Sequence, residues 1–251
     1  MGDMPTIVVI DYHAGNVASV ARGLARAGAR AVVSDDPRAI AAADGLALPG
    51  VGGLYDAAAF MARSGQAAAV IDAIRRGVPF LGICLGMQLL FERGTEGVPG
   101  TAPLVSPVDG SGAGLACGQV FSADGTRWVR ALGVLRGSCT MLDATGAVGR
   151  LKVPHVGWDQ VYRSAAGEAC PLLAGVPDGA NMYFTHSFAV EGADAADVAA
   201  LAHYVRSFPA VVSRGRVFGC QFHPEKSSDR GAAIMANFVR EAALAAEEVR
   251  P

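Results

Sequence analysis

Short apolar runs rich in β-branched residues alternate with helical patterns along the first part of the chain. Residues 6–11 read TIVVID, which is typical of a strand buried on both faces, and further runs follow at 31–33, 45–48 and 79–83. Helical spacing fills the segments between them, at 16–28, 37–43 and 54–77, the last interrupted near Gly65. This alternation predicts an α/β fold with an open, mixed and largely parallel sheet flanked by helices. Ligands of such sheets bind beyond the carboxyl ends of the strands.

The second half of the chain has a different character. Residues 95–130 are rich in Gly, Ala, Ser, Thr and Pro and show little periodicity, which predicts an irregular insertion at about 97–130. Short β-like runs follow from about 134 to 221, and a final amphipathic helix begins at Ser228 or Asp229. Residues 152–158 read as a loop, and 213–216 as a hairpin turn. We expect a single domain, residues 1–251, with a β-rich second half.

Composition excludes several classes of protein. A formal net charge of −2 gives no broad electrostatic grip on nucleic acid or anionic lipid. No apolar run is long enough to span a bilayer. Five cysteines, without a C-x-x-C pair or a cluster with histidine, favour neither a disulfide framework nor a metal site. We therefore expect a cytoplasmic protein of a reducing compartment, without metal, nucleic acid or membrane as partner.

Cys84 lies at the junction of an apolar strand and a helix, in residues 82–86, GICLG. This is the G-x-nucleophile-x-G elbow with cysteine in place of serine. The following helix favours the thiolate, and the backbone N–H of Leu85 points toward an oxyanion formed at the cysteine. The alternative is a buried structural cysteine between two packing glycines.

His223 is the candidate base for this nucleophile. It follows an apolar strand, Pro224 ends that strand, and Glu225 can accept the second ring N–H. Cysteine, histidine and glutamate then form a plausible triad, although an edge histidine paired with its neighbour is the simpler interpretation. His155 and His186 are, each by itself, more typical of structural residues.

The turn after the third strand, residues 49–52 (PGVG), is a second candidate for oxyanion binding. Glycine lets backbone amides approach a reacting carbon closely. The segment lacks the Lys-Ser/Thr ending of a phosphate-binding loop and the third glycine of a dinucleotide fingerprint. A plain strand-to-helix turn explains it equally well.

Together, these segments resemble the triad (class I) glutamine amidotransferases. Residues 82–88 (GICLGMQ) and 221–225 (QFHPE) carry that resemblance. Within the superfamily the chain is most similar to the glutaminase subunits of imidazole glycerol phosphate synthase, from histidine biosynthesis. That narrower resemblance rests on the stretches at 11–16 (DYHAGN), 49–52, 152–158 (KVPHVGW), 183–188 (YFTHSF) and 225–227 (EKS), and it covers nearly the whole chain except the insertion.

The resemblance implies a role for each matching residue. Cys84 attacks the side-chain amide of L-glutamine to form a thioester, His223 moves protons, and Glu225 orients His223. Gly52 and Leu85 supply oxyanion N–H groups, Gly52 after a backbone flip. The glutamine-binding set that it implies is Gly50, Val51, Gly52, Leu85, Gln88, Thr185, His186, Ser187 and Phe188.

The resemblance also implies a partner and no cofactor. In the family, ammonia passes to a (β/α)₈-barrel synthase subunit in a heterodimer, and this chain's residues that match positions at or near that interface are Asn16, His155, Trp158 and Lys226. Two departures stand out. His13 occupies a position where the family usually has glycine, which predicts a local adjustment only, because histidine tolerates a left-handed backbone better than most residues. The insertion is the larger departure.

Two other functions remain as alternatives. A free-standing γ-glutamyl hydrolase, or the glutaminase of another biosynthetic complex, keeps Cys84, His223 and Glu225 but has no need of residues 152–158. A non-catalytic interaction module predicts loss of at least one triad residue, and none is lost. Dependence of the activity on a partner separates the three.

Overall fold

The structure is a computed structural model that describes residues 4–107, 112–143, 145–146 and 149–249. Its helices are α1 (Val17–Arg26), α2 (Pro37–Ala41), α3 (Leu54–Ser64), α4 (Gln66–Arg75), α5 (Leu85–Gln88) and α6 (Ser228–Val249). Its strands are β1 (Thr6–Ile10), β2 (Arg30–Ser34), β3 (Gly45–Gly50), β4 (Phe80–Cys84), β5 (Arg93–Gly94), β6 (Val120–Ala123), β7 (Thr126–Arg130), β8 (Ser138–Met141), β9 (Thr145–Gly146), β10 (Gly149–Arg150), β11 (His155–Arg163), β12 (Ala180–His186), β13 (Phe188–Glu191), β14 (Val198–His203), β15 (Ser207–Arg214) and β16 (Val217–Cys220).

A nine-stranded mixed sheet forms the centre of the molecule, in the order β12-β11-β14-β15-β16-β4-β3-β1-β2. The strands from β16 to β2 pair in parallel, whereas those from β12 to β16 pair antiparallel. The predicted α/β fold with an open mixed sheet is confirmed, and the antiparallel part accounts for the β-rich second half. The carboxyl ends of β3, β4 and β16 lie side by side, because these strands are parallel neighbours.

Helices cover both faces of the parallel part, as the alternation of β1 shows. Ile7 and Val9 pack in one core cluster with Leu24 of α1 and Phe238 of α6. Val8 and Ile10 point to the other face and pack with α3 and α4. Two covered faces explain why β1 is apolar and buried from Ile7 to Ile10.

The segment predicted to be an irregular insertion contains regular structure. Strands β6 and β7 form an antiparallel hairpin, and β7 joins a second sheet with the order β13-β8-β5-β7-β6. These strands have only four and five residues, so their period-2 pattern is too short to stand out in a Gly- and Ala-rich stretch. Residues 108–111 of the predicted insertion lie outside the described residues.

Three local predictions can be compared directly with the structure. Gly65 separates α3 from α4 with a left-handed φ of 81°, which confirms the predicted break. Gly215 likewise occupies the turn between β15 and β16, as predicted. The loop predicted at 152–158 is wrong from His155 onward, because β11 begins there and pairs with β12 over seven residue pairs.

Among the described residues, no helix combines the length and the apolar character that crossing a bilayer requires.

Candidate active site

Cys84 ends β4 in a backbone conformation that non-glycine residues rarely adopt. Its φ is 54° and its ψ −108°, and α5 begins at the next residue, Leu85. Such strain persists only where the surrounding structure holds it, and it aims the side chain away from the strand. The geometry is that of the predicted nucleophile elbow.

The two glycines of the elbow permit close packing of backbone against backbone. A Cβ atom on Gly86 would overlap the carbonyl oxygen of Leu48 in β3, and one on Gly82 would overlap the carbonyl of Gly86. The tight turn therefore depends on the absence of side chains at these two positions.

His223 and Glu225 form a buried pair directly after β16, the strand beside β4. His223 Nδ1 lies 2.9 Å from Glu225 Oε1, and both side chains are almost completely buried. Burial of the imidazole opposes its charge, but the neighbouring Cys84 sulfur and the Glu225 carboxylate offset this and raise the pKa of His223 to about 9. His223 is therefore protonated at neutral pH, and its Nε2 makes no hydrogen bond within the described residues.

A pocket of about 280 Å³ opens beside Cys84. Its wall combines the elbow, the turn after β3 and residues 185–188, where β12 ends and β13 begins. Of the residues predicted to bind glutamine, all but Gly50 line it: Val51, Gly52, Leu85, Gln88, Thr185, His186, Ser187 and Phe188. Gly50 lies behind them, where a Cβ atom would come within 2.6 Å of the Leu85 Cβ.

The turn at Val51 and Gly52 has room to change conformation. Val51 is exposed, Gly52 has a φ of 99°, and no atom lies within 4 Å of the position that a Gly52 Cβ would take. A peptide in open space, next to a glycine, meets little steric resistance to rotation.

Glu96 and Pro154 also line the pocket, and the sequence interpretation missed both. Burial raises the pKa of Glu96 to about 7, with a backbone hydrogen bond from Leu54 opposing the shift. The available signal was weak, since Glu96 is one of two acidic side chains, with Glu92, between the elbow helix and residue 100. It was overlooked because that stretch was assigned to a surface insertion.

His186 joins the pocket to a buried histidine pair. Its Nδ1 lies 2.8 Å from the carbonyl oxygen of Phe188, and its Nε2 lies 3.3 Å from Nδ1 of His155. A carbonyl only accepts, so His186 donates from Nδ1 and accepts at Nε2. Burial lowers the pKa of His186 to about 4, and burial also lowers the pKa of His155. His186 is therefore a neutral group of fixed tautomer in the pocket wall.

An apolar surface lies on the edge of the sheet formed by β11 and β12. Trp158 is 54% exposed, and its ring meets the Tyr183 ring at a centroid distance of 6.0 Å. Lys226 Nζ lies 5.8 Å from the centroid of Tyr183. His155, predicted at or near an interface, is 3% exposed and lies beneath this surface. Asn16 precedes α1, and no hydrogen bond from its side chain caps that helix.

His13 adopts the left-handed backbone that its position requires. Its φ is 64°, its N–H donates to Asp11 Oδ1 over 2.7 Å, and its ring packs edge-on against Phe60. The left-handed backbone expected to be tolerated by this histidine is present.

Cavity size alone does not identify this site. A cavity of about 600 Å³ lies between α4 and residues 115–134 and contains another cysteine, Cys117. Burial raises the pKa of the Cys117 thiol to about 12, although Arg130 opposes the shift. Cys117 is thus a poor nucleophile at neutral pH. Among the described residues, no three His, Cys, Asp or Glu side chains group as metal ligands.

Comparisons with known proteins agree with this geometry. The glutamine amidotransferase class-I family matches residues 8–242. The chain is 40% identical to imidazole glycerol phosphate synthase subunit HisH of Symbiobacterium thermophilum, with 94% of each chain covered. It is also 40% identical to subunit HisH of Methylococcus capsulatus, with 94% of this chain and 97% of that one covered.

Solved structures share the fold at low identity. A putative GMP synthase component from Thermoplasma acidophilum has a TM-score of 0.62 at 17% identity and covers 99% of this chain and 98% of that one. The structure of PurLQS from Thermotoga maritima has a TM-score of 0.63 at 17% identity, with 95% and 99% covered. With matches over nearly its full length, the chain belongs to the class-I glutamine amidotransferase family and, within it, to the imidazole glycerol phosphate synthase subunits HisH.

Proposed function

We propose that this chain hydrolyses L-glutamine at Cys84 and delivers the ammonia to a (β/α)₈-barrel synthase subunit. One observation carries the proposal: the strained Cys84 lies in the wall of a pocket, beside a buried His223–Glu225 pair whose imidazole is protonated at neutral pH. This arrangement pairs a nucleophile with a proton donor and with a group that orients the donor.

The first half of the reaction forms a thioester. The Cys84 thiolate attacks the side-chain amide carbon of glutamine, and the carbonyl electron pair moves to the oxygen. The backbone N–H groups of Leu85 and Gly52 stabilise that oxyanion, Gly52 after rotation of the turn. The carbon–nitrogen bond then breaks, His223 gives its proton to the leaving nitrogen, and ammonia departs.

The second half regenerates the enzyme. Neutral His223 takes a proton from a water molecule, which attacks the thioester carbon. The carbon–sulfur bond breaks, glutamate leaves and Cys84 returns as a thiolate facing the imidazolium. Glu225 accepts a hydrogen bond from His223 Nδ1 throughout, which keeps Nε2 as the atom that exchanges protons.

Recognition of the amino acid is assigned to the rest of the pocket. Glu96 supplies a carboxylate for the α-ammonium group. Among the described residues that line the pocket, it is the one with a carboxylate side chain. Gln88 and the segment 185–188, with Gly50 behind the turn, shape the remaining wall.

The surface that receives the synthase subunit is proposed around Trp158. A half-exposed tryptophan whose ring packs edge-on against a neighbouring tyrosine is a typical anchor of a protein interface. Asn16 and Lys226 contribute polar contacts, and His155 supports the surface from below. The five free thiols fit a reducing compartment, and we assign the chain to the cytoplasm.

The test measures glutamate release with the chain alone, with the synthase subunit, and with that subunit plus its ribonucleotide substrate. We expect negligible release by the chain alone and strong release with both additions, because the Gly52 turn has to rotate. Strong release that is indifferent to the partner indicates a free-standing hydrolase. Absence of release under every condition contradicts the catalytic assignment.

A further inference from the structure

Two buried glutamine side chains connect the pocket wall to the nucleophile. Gln88 Nε2 lies 2.9 Å from the carbonyl oxygen of Phe188 and 3.0 Å from Gln221 Oε1. Gln221 Nε2 in turn lies 3.6 Å from Cys84 Sγ. Gln221 has no exposed surface and Gln88 is 2% exposed, so both amides are shielded from bulk water.

The direction of these hydrogen bonds follows from the backbone carbonyl at one end. Phe188 O can only accept, so the amide nitrogen of Gln88 faces it. This nitrogen has two hydrogens, and the second one points at Gln221, which therefore presents its oxygen to Gln88. The amide nitrogen of Gln221 is then the group that faces the Cys84 sulfur.

The Phe188 carbonyl, at which this series of hydrogen bonds begins, is itself held in place. His186 Nδ1 donates to the same Phe188 oxygen over 2.8 Å, and a carbonyl oxygen has two lone pairs for two such donors. Reversal of either glutamine amide would place two acceptors or two donors against each other in a buried site, which is costly.

We infer that Gln221 is a positioning residue, which donates an N–H to the Cys84 sulfur and thereby stabilises and aims the thiolate. A donor to an ionised acceptor gives a stronger bond than a neutral pair, and low polarity around the site strengthens it further. The inference extends the proposed role of Cys84 as nucleophile.

The same hydrogen bonds limit what Gln88 can offer to a ligand. Both of its amide hydrogens are used within the protein, so only its oxygen is left for a ligand in the pocket. Gln88 then serves as an acceptor for a donor group of the substrate, and as the link that fixes the orientation of Gln221.

The test is the pH dependence of Cys84 alkylation by iodoacetamide in the isolated chain, without glutamine or partner. Only the thiolate reacts. Replacement of Gln221 by methionine keeps the length and burial of the side chain but removes the donor. We expect the alkylation midpoint of Gln221→Met to rise by about one pH unit, with a roughly tenfold lower rate at any pH below the midpoints of both proteins.

Gln66→Met is the matched control. Gln66 is also fully buried, and its amide nitrogen donates to the carbonyls of Asp11 and Asp35, at 2.8 and 3.0 Å. The substitution removes a comparable buried amide that has no contact with Cys84, so the alkylation midpoint of Cys84 should stay unchanged. Cys84→Ala measures the background of the other thiols, of which Cys139 and Cys220 have a pKa raised by burial.

An unchanged midpoint in folded Gln221→Met overturns the inference. Should that variant not fold, Gln221→Asn keeps the amide but withdraws it by one methylene, and an upward shift is again expected. In the unmodified chain, the side-chain amide protons of Gln221 should shift in NMR spectra as Cys84 titrates, and absence of that shift also overturns the inference. Neither assay uses glutamine. Failure of the proposed glutaminase activity, which is measured by glutamate release, can therefore be distinguished from failure of this inference.

Discussion

The parallel and antiparallel parts of the central sheet differ in how they expose their side chains. Strands β3, β4 and β16 are buried at every residue. Strand β11 alternates buried and accessible side chains, and Trp158 is on its accessible face. Parallel strands covered on both faces hold a nucleophile rigidly at their carboxyl ends, whereas an antiparallel edge offers one face to another protein.

The pocket lies where these two parts meet. Cys84 and Leu85 come from the parallel part, Thr185 and His186 end β12 in the antiparallel part, and Phe188 begins β13 of the second sheet. We therefore expect changes in the parallel part to remove the chemistry, and changes in the antiparallel part to alter coupling, recognition or stability.

Cys84→Ala, in the parallel part, should have the largest effect on activity. Glutamate release should fall by about 10⁴-fold or more, because no other group in the pocket can form the thioester. Folding and association with the synthase subunit should be retained, as judged by thermal unfolding and by gel filtration of the mixture. Retained activity would contradict the assignment of the nucleophile.

Trp158→Ala tests the antiparallel edge. We expect partner affinity to fall by roughly thirtyfold, the effect of losing a central aromatic anchor, while the free energy of unfolding changes by about 1 kcal/mol or less. Titration calorimetry against the synthase subunit measures the affinity. Tyr162→Ala is the control, since Tyr162 is an exposed aromatic four residues along the same strand. Equal losses in both variants would show that the interface is misplaced.

Glu96→Gln tests substrate binding in the pocket, between the two parts of the sheet. A carboxylate binds an ammonium group only when ionised, so KM should fall as pH rises through about 7, the pKa of Glu96. The variant should show a KM raised by about tenfold and a flatter pH profile, with kcat much less affected. Glu92→Gln controls for charge, because Glu92 bonds the backbone N–H of Gly137 and does not line the pocket. A KM for Glu96→Gln equal to that of the parent would reject the assignment.

The smallest effect concerns His186 and the stability of the antiparallel wall. Its pKa is about 4 in the folded chain and near 6.5 when unfolded, so the unfolded state binds the proton more tightly. The contribution of His186 to stability should therefore fall as pH drops below 6.5, by about 1–2 kcal/mol between pH 7 and 5, whereas Glu96 and His223, whose pKa values are raised, contribute in the opposite direction. Urea unfolding of the parent and of His186→Gln measures the His186 contribution as the difference between their two slopes. Some slope should persist in that variant, because burial also lowers the pKa of His155. An unchanged slope would contradict the prediction.

The elbow and the alternation of elements were predictable because each depends on residues close in the chain. Glycines at 82 and 86 permit a sharp turn around Cys84, and the apolar run before them predicts the strand. The hairpin of β6 and β7 was not predictable in the same way, since its strands are short and are stabilised by pairing within the second sheet.

The residues of the candidate site also differ in whether nearby sequence could predict them. Cys84, His223 and Glu225 could be predicted as a site because each is part of a local motif, whereas Glu96 is not. Glu96 reaches the pocket wall only when the chain after the elbow helix folds back. The burial of His155 was missed as well, because pairing of β11 with β12 sets it opposite His186.

Residues close in the chain were enough to predict the alternation of strands and helices in the first half, the elbow at Cys84 and the family, because backbone sterics and apolar periodicity act over a few residues. The hydrogen bonds that lead from the Phe188 carbonyl through Gln88 and Gln221 to Cys84 depend instead on the tertiary structure. Hydrogen bonds between residues far apart in sequence depend on which strands become neighbours, and that is set by the packing of the whole sheet.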